Sequence, residues 1–119
     1  MNVVGFMENL KGFADATTKN VTALSKSTSL KIEAKMKIRD LNEEIDNIKR
    51  EIRKDYEIIG KMFVLELREK VPMDEIKLNN LLSDIDSKNL KIEESNSCIK
   101  EIEEDLNEKL EDIDRKKYE

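Results

Sequence analysis

Apolar residues along this chain fall into two rows with a heptad spacing, separated by one proline. The first row consists of Ile38, Ile45, Ile52 and Ile59. The second row consists of Leu78, Ile85, Ile92, Ile99, Leu106 and Ile113. Residues that recur every seven positions line one side of an α-helix and pair with a similar row on another helix. Because Pro72 is the only proline and lies between the rows, the pattern predicts an all-α fold, a long antiparallel two-helix coiled-coil hairpin.

Each arm of this hairpin has a further row, three residues after the first, that sets the alignment of the helices. These positions are Leu41, Ile48, Asp55 and Met62 in the first arm, and Leu81, Lys88, Ser95, Ile102 and Lys109 in the second. A turn centred near residues 71–72 aligns Ile52 with Ile92. It also sets Asp55 opposite Lys88, so that two polar positions in apolar rows form one pair of opposite charge. We therefore predict that Asp55 and Lys88 are a register pair.

The hairpin is expected over residues 30–119, with its turn near residues 70–73. Proline suits the first position of a helix, because a backbone N–H at that position would have no hydrogen-bond acceptor within the helix. Pro72 is therefore expected to begin the second helix. Asp74 and Glu75 would then lie in the first turn, where the helix dipole favours acidic side chains.

Residues 1–29 are expected to form an amphipathic helix ahead of the hairpin. Its apolar side consists of Val3, Phe6, Met7, Leu10, Phe13, Val21 and Leu24. Ser and Thr are dense at residues 25–29 and lower the helix propensity, which leaves open either a bend or a continuous helix there. We interpret the apolar side as a membrane-binding or partner-binding surface. It either packs against a hairpin or lies in the plane of a membrane, with Lys11, Lys19 and Lys26 near the headgroups.

The turn end of the hairpin has more apolar residues than a two-helix seam can cover. They are Ile58, Phe63, Val64, Leu65, Leu67, Met73, Ile76 and Leu82. A second hairpin, or the N-terminal helix of a neighbouring copy, would cover such a surface. We therefore predict a homo-oligomer, with Phe63, Leu67 and Leu82 in its interface.

Charge is divided unevenly along the 119 residues, of which 41% are charged and 4% are aromatic. Residues 1–39 contain seven Lys or Arg and three Asp or Glu, which gives a net charge of +4. Residues 40–119 contain fifteen and twenty-four, which gives −9. An acidic hairpin repels phosphate backbones, so nucleic acid is excluded as a partner. The basic N-terminal part favours an acidic surface, such as an anionic membrane or an acidic protein.

The residue types needed for catalysis are scarce. There is no His, one Cys and three Gly, and this argues against a histidine base, a zinc site or a phosphate-binding loop. We predict that the protein is not an enzyme and takes no cofactor, metal or small-molecule substrate. Cys98, beside Ile99, is expected to be a buried or half-buried thiol. The N-terminal residues do not resemble a signal peptide, which predicts a cytoplasmic location.

Two segments carry a resemblance to a known group of proteins. Gly5 and Phe6, with Leu10 and a following Thr/Lys-rich stretch, precede the first arm, and residues 59–63 read Ile-Gly-Lys-Met-Phe. In these respects the chain resembles small Gram-positive bacterial helical-hairpin proteins with an N-terminal amphipathic segment, which often end in a zinc ribbon. The CxxC motifs of such a ribbon are absent here. The layout is also similar to that of membrane-remodelling helical proteins of the phage-shock and ESCRT-III type, whose arms are longer.

Two functional hypotheses follow from these features. The first is a non-enzymatic, structural, self-assembling coiled-coil protein that acts through helix–helix contacts. The second is a peripheral membrane-associated adaptor or remodelling protein, which binds lipid through residues 1–24. The resemblance implies the architecture of a bacterial helical hairpin and does not choose between them.

Overall fold

A computed structural model describes the backbone of residues 18–117 and the side chains of residues 25–116. Helix α1 spans Thr18–Glu69 and helix α2 spans Glu75–Lys117. The two helices form an all-α helical hairpin, and residues 18–117 contain no strand. This confirms the fold class that the heptad rows predict. Over the described residues, neither helix has an apolar stretch long enough to cross a bilayer.

The first helix continues through the Ser/Thr-rich segment at residues 25–29. Each Ser or Thr lowers helix stability by only about 0.5 kcal/mol, and Ser25, Ser27 and Thr28 are half-buried rather than fully exposed to solvent. The continuous helix is therefore the alternative observed. The predicted division at residues 29 and 30 does not coincide with a change in secondary structure.

The side chains predicted to bind a membrane or a partner lie outside the described residues. They are Val3, Phe6, Met7, Leu10, Phe13, Val21 and Leu24. The amphipathic N-terminal segment thus stays a prediction from the sequence.

Helix α1 ends because Pro72 disfavours helical geometry at the residue before it. Lys70 has a φ of 54°, in the left-handed region, and it turns the chain out of the helix. The N–H of Val71 donates to the carbonyl oxygen of Leu65 at 3.4 Å, which satisfies one of the last carbonyl groups of α1. The turn consists of residues 70–74, one residue more than the predicted span of residues 70–73.

The start of α2 differs from the prediction. The helix begins at Glu75 rather than at Pro72, and Asp74 caps it. The backbone N–H of Lys77 donates to Asp74 Oδ1 at 3.1 Å, and the N–H of Leu78 donates to the carbonyl oxygen of Asp74 at 2.9 Å. An N-cap carboxylate accepts from an otherwise unpaired helix N–H, which a proline side chain cannot do. That capability explains why Asp74, and not Pro72, sets the boundary.

The chain divides into two compact units. The turn unit consists of residues 39–98. Its core is a cluster of Ile48, Ile52 and Ile85, against which Ile59 and Ile92 pack. These isoleucines come from the rows that predict the seam, and fully burying each one contributes about 2 kcal/mol before the entropic cost. Isoleucines from both arms in one cluster agree with the predicted alignment.

The terminal unit joins the end segments of both helices, with its described side chains in residues 25–38 and 99–116. Ala34 is buried, and Leu30, Ile38, Leu106, Leu110 and Ile113 are half-buried. Several of these positions are four residues apart, as in an eleven-residue repeat, because a straight α-helix drifts away from a strict heptad. The prediction that Lys109 lies in the seam is therefore wrong. Its side chain is 54% exposed and pairs with Asp105 at 2.9 Å, while Leu110 takes the inward position.

A shallow cavity of about 60 Å³ lies beside Ala34 in the terminal unit. Its lining residues include Leu30, Ile102 and Leu106, with the side chains of Lys37 and Lys109 at the rim. The methyl group of Ala34 leaves this space unfilled.

Candidate interaction surfaces

The predicted register pair is in contact at the centre of the turn unit. Lys88 Nζ donates a hydrogen bond to Asp55 Oδ2 at 3.1 Å. The Asp55 side chain is 12% exposed and that of Lys88 is 17% exposed, so the pair is largely shielded from solvent. Its position next to Ile52 and Ile85 agrees with the alignment worked out from the two rows and the proline.

Two further carboxylates approach the same ammonium group. Lys88 Nζ lies 2.6 Å from Asp84 Oδ2 and 3.8 Å from Glu51 Oε2. Glu51 precedes Asp55 by four residues and Asp84 precedes Lys88 by four, so each carboxylate lies one turn before a member of the pair. Sequence reasoning missed both, although this spacing was the signal that could have found them.

The cluster shifts two pKa values. The pKa of Asp84 lies below its usual value because its carboxylate accepts a hydrogen bond from the ammonium group of Lys88. The pKa of Lys88 lies above its usual value because its ammonium group donates to Asp84 and to Asp55, and these bonds outweigh the opposing effect of desolvation. Both directions favour the charged forms, so the ion pairs persist around neutral pH.

A lysine surrounded by three carboxylates acts as a structural clamp between the helices. Within residues 25–116, no group of three or more Cys, Asp or Glu side chains is arranged to hold a metal ion. Every buried side-chain nitrogen or oxygen in that part of the chain has a hydrogen-bond partner. The arrangement therefore favours this alignment of α1 with α2 over alignments in which one helix is shifted along the other.

The same contacts distinguish the two flanks of the turn unit. Glu51 on α1 and Asp84 on α2 both reach Lys88, so they lie on one flank of the two-helix layer. At about 100° per residue, Phe63 on α1 and Leu82 on α2 project from their helices to the other side of the seam. Phe63 and Leu82 therefore share the opposite flank.

This second flank carries exposed apolar side chains on both helices. We call it the turn-end apolar face and define it as Tyr56, Gly60, Phe63, Leu67 and Leu82. Phe63 is 53% exposed, Leu67 is 65% exposed and Leu82 is 43% exposed. These three are the residues that the sequence predicts for an oligomer interface. Tyr56 and Gly60, which extend the face, were not predicted, although their spacing with Phe63 and Leu67 is that of a helix–helix seam.

Gly60 is unusual within this face, because it lies inside a long helix and costs about 1 kcal/mol of helix stability relative to alanine. A Cβ atom at Gly60 would meet nothing within 4 Å. Packing within the hairpin therefore does not require a glycine at this position. It leaves a shallow depression on the exposed surface of α1.

Most of the other exposed apolar residues near the turn point away from the turn-end apolar face, although Val64 lines the depression at Gly60. Ile58 and Leu65 lie on the flank of Glu51, and Ile76 projects away from the seam. The excess of apolar residues that the sequence predicts is therefore real but does not form a single patch. Cys98 was expected to be at least half-buried and is instead exposed. Ile99 occupies the inward position, and the preceding residue lies about 100° away on the helix.

Known proteins offer no comparison for this chain, since no family model, no curated protein and no solved structure is similar to it. The resemblance to Gram-positive helical-hairpin proteins therefore stays a prediction.

Proposed function

We propose that this protein is a non-enzymatic, self-assembling coiled-coil protein that acts through helix–helix contacts, with a second copy as its partner. The observation that carries the proposal is the turn-end apolar face. Phe63, Leu67 and Leu82 have no cover within the hairpin, although they share one flank.

Covering this face would release a useful amount of free energy. Burying a whole leucine or phenylalanine side chain contributes about 1.5–3 kcal/mol. The side chains of the face are roughly half exposed, so each would contribute about 1 kcal/mol on burial. Symmetric pairing doubles every contribution, because the same patch is buried on both copies.

The proposal is tested by measuring molar mass by light scattering over the micromolar range. The native chain should give a mass that rises with concentration towards a dimer or a larger assembly. Phe63→Glu or Leu82→Glu should shift the protein to the monomer, because a carboxylate buried without a partner is strongly unfavourable.

Leu90→Glu is the matched control. Leu90 is 56% exposed on α2, but it points away from the seam and away from the turn-end apolar face. This variant should assemble like the native chain. A native mass that stays at the monomer over the whole range would contradict the proposal, as would equal loss of assembly in the control and in Phe63→Glu.

The alternative, a peripheral membrane protein that binds lipid through residues 1–24, makes a different prediction. Co-sedimentation with vesicles of anionic lipid would then require this segment and would weaken in Phe6→Glu or Leu10→Glu. Under our proposal, Phe63→Glu abolishes assembly whether vesicles are present or not.

A further inference from the structure

The turn-end apolar face belongs to a longer row of exposed positions on α1. The row consists of Lys49, Arg53, Tyr56, Gly60, Phe63 and Leu67, at alternating intervals of four and three residues. It lies about 90° around the helix from the seam that holds Ile52. A helix with two seams at roughly right angles contacts two neighbours, as each helix does in a four-helix bundle.

Helix α2 carries a matching row on the same flank. It consists of Glu75, Asn79, Leu82, Asp86, Asn89 and Glu93, all exposed and at the same alternating intervals. The two rows differ in charge. The α1 row has two basic residues and no acidic one, whereas the α2 row has three acidic residues and no basic one. The flank of one copy is therefore complementary in charge to the flank of a second copy, if the α1 row of each copy faces the α2 row of the other.

We propose that a second copy docks on this flank with its α2 against α1 of the first, and its α1 against α2, around a two-fold axis parallel to the helices. This inference rests on the proposed self-assembly and specifies its geometry. Rotation about such an axis leaves the direction of each helix unchanged. Helix α1 therefore runs antiparallel to α2 of the partner copy, and both turns lie at the same end of the bundle.

The contact between Asp55 and Lys88 fixes which positions are level along the bundle. It places Lys49 level with Glu93, and Gly60 level with Leu82, to within one residue. The interface would therefore pair Lys49 with Glu93 of the partner copy. Leu82 of the partner copy would enter the depression at Gly60, where the missing side chain leaves room for it.

The remaining layers agree with this arrangement at the centre of the row and less well near the turn. Tyr56 falls level with Asp86 of the partner copy, so its hydroxyl group can donate to that carboxylate. Phe63 falls level with Asn79 and Leu67 with Glu75, so the two layers nearest the turn pair an apolar side chain with a polar one. A bundle with α1 against α1 of the partner, centred on Gly60, would set Arg53 against Leu67 and would give Lys49 no acidic partner. Charge complementarity therefore favours the pairing of α1 with α2.

Disulfide trapping separates the two arrangements. In a Cys98→Ser background, one chain carries Tyr56→Cys and a differently tagged chain carries Asp86→Cys, and equal amounts are mixed and oxidised. The two introduced thiols on separate chains are adjacent only if α1 packs against α2 of the partner, whereas two copies of position 56 lie diagonally across that bundle. We expect the mixed disulfide to form a larger share of the disulfide-linked products than random pairing of the two chains would give. A mixed disulfide at or below that share overturns the inference.

Gly60→Leu tests the depression itself and leaves the hairpin intact, because a side chain at Gly60 enters open space in the single copy. We expect at least a tenfold weaker dimer by light scattering, with a melting temperature at low concentration that is equal or higher. Lys54→Leu, at an exposed position of α1 outside both rows, is the control and should leave the affinity unchanged. Unchanged affinity in Gly60→Leu overturns the geometry. Failure of the proposed self-assembly would show differently, as a native chain that is monomeric throughout.

Discussion

The lysine clamp consists of Lys88 with Asp55, Asp84 and Glu51. It predicts that reversing the charge of Lys88 destabilises the hairpin far more than reversing the charge of Asp55. Lys88 meets Asp55, Asp84 and Glu51, so the four side chains carry a net charge of −2. Asp55→Lys leaves two carboxylates for two ammonium groups and brings the net charge to zero. Lys88→Glu leaves four carboxylates together and no base among them.

The distances indicate the size of each effect. Asp55→Lys removes one 3.1 Å contact, but the new ammonium group follows Glu51 by four residues, which is a favourable helical spacing. We expect a loss of about 1 kcal/mol in the free energy of unfolding, which is at the low end for a core position. Lys88→Glu removes all three contacts at once and adds repulsion among the carboxylates. Its loss should be at least twice as large.

Urea denaturation followed by circular dichroism measures both losses. The double variant, Asp55→Lys with Lys88→Glu, restores opposite charges across the seam and the original net charge, so it should recover part of the loss seen in Lys88→Glu. Lys54→Glu, an exposed neighbour outside the cluster, is the control and should change stability by under about 0.5 kcal/mol. The reasoning is refuted if Asp55→Lys destabilises as much as Lys88→Glu, because Asp84 and Glu51 would then have no influence on the pair.

Other features of the hairpin make independent predictions. Lys70→Gly should raise the free energy of unfolding by up to about 1 kcal/mol, since glycine has no Cβ penalty at a positive φ. In urea denaturation its free energy of unfolding should be higher than that of Lys70→Ala, and equal values for the two variants would count against strain at this residue. Ala34→Leu should fill the cavity of about 60 Å³ and raise the free energy of unfolding by about 1 kcal/mol in the same assay; a loss would show that the space cannot accept a side chain. The lysine clamp should contribute between about pH 4 and about pH 10, losing effect as the pH falls through the lowered pKa of Asp84 or rises through the raised pKa of Lys88. A plot of melting temperature against pH should therefore flatten at both ends in Lys88→Met, and an unchanged plot would argue against the clamp.

The alignment of the hairpin was predictable because few residues could satisfy it. Asp55 is the one charged residue in the rows of the first arm, and a turn near residues 71–72 sets it opposite Lys88 rather than Ser95 or Lys109 of the second arm. The partners Glu51 and Asp84 were not predictable to the same degree. With 27 acidic residues in the chain, many carboxylates lie one turn from a lysine. Which of them bends inward depends on side-chain direction rather than on spacing alone.

The misjudged positions share a physical cause, which is competition between nearby residues for one role. Pro72 and Asp74 both suit the start of a helix, and the hydrogen bond from Lys77 decides in favour of Asp74. Lys109 and Leu110 compete for one inward position, and the drift of a straight helix decides in favour of Leu110. In each case the pattern places the element correctly and misses its detail by one to three residues.

The last turns of α1 carry a consequence for where the hairpin opens. Residues 63–69 are helical, yet none of their side chains is buried, and Gly60 precedes them. Backbone amides in such a segment exchange with solvent through local opening, at a free energy well below that of global unfolding. A partner that covers this end would therefore raise the free energy of its local opening. Docking of a second copy would convert an independently fraying end into part of the cooperative unit, so that binding and local folding become one equilibrium.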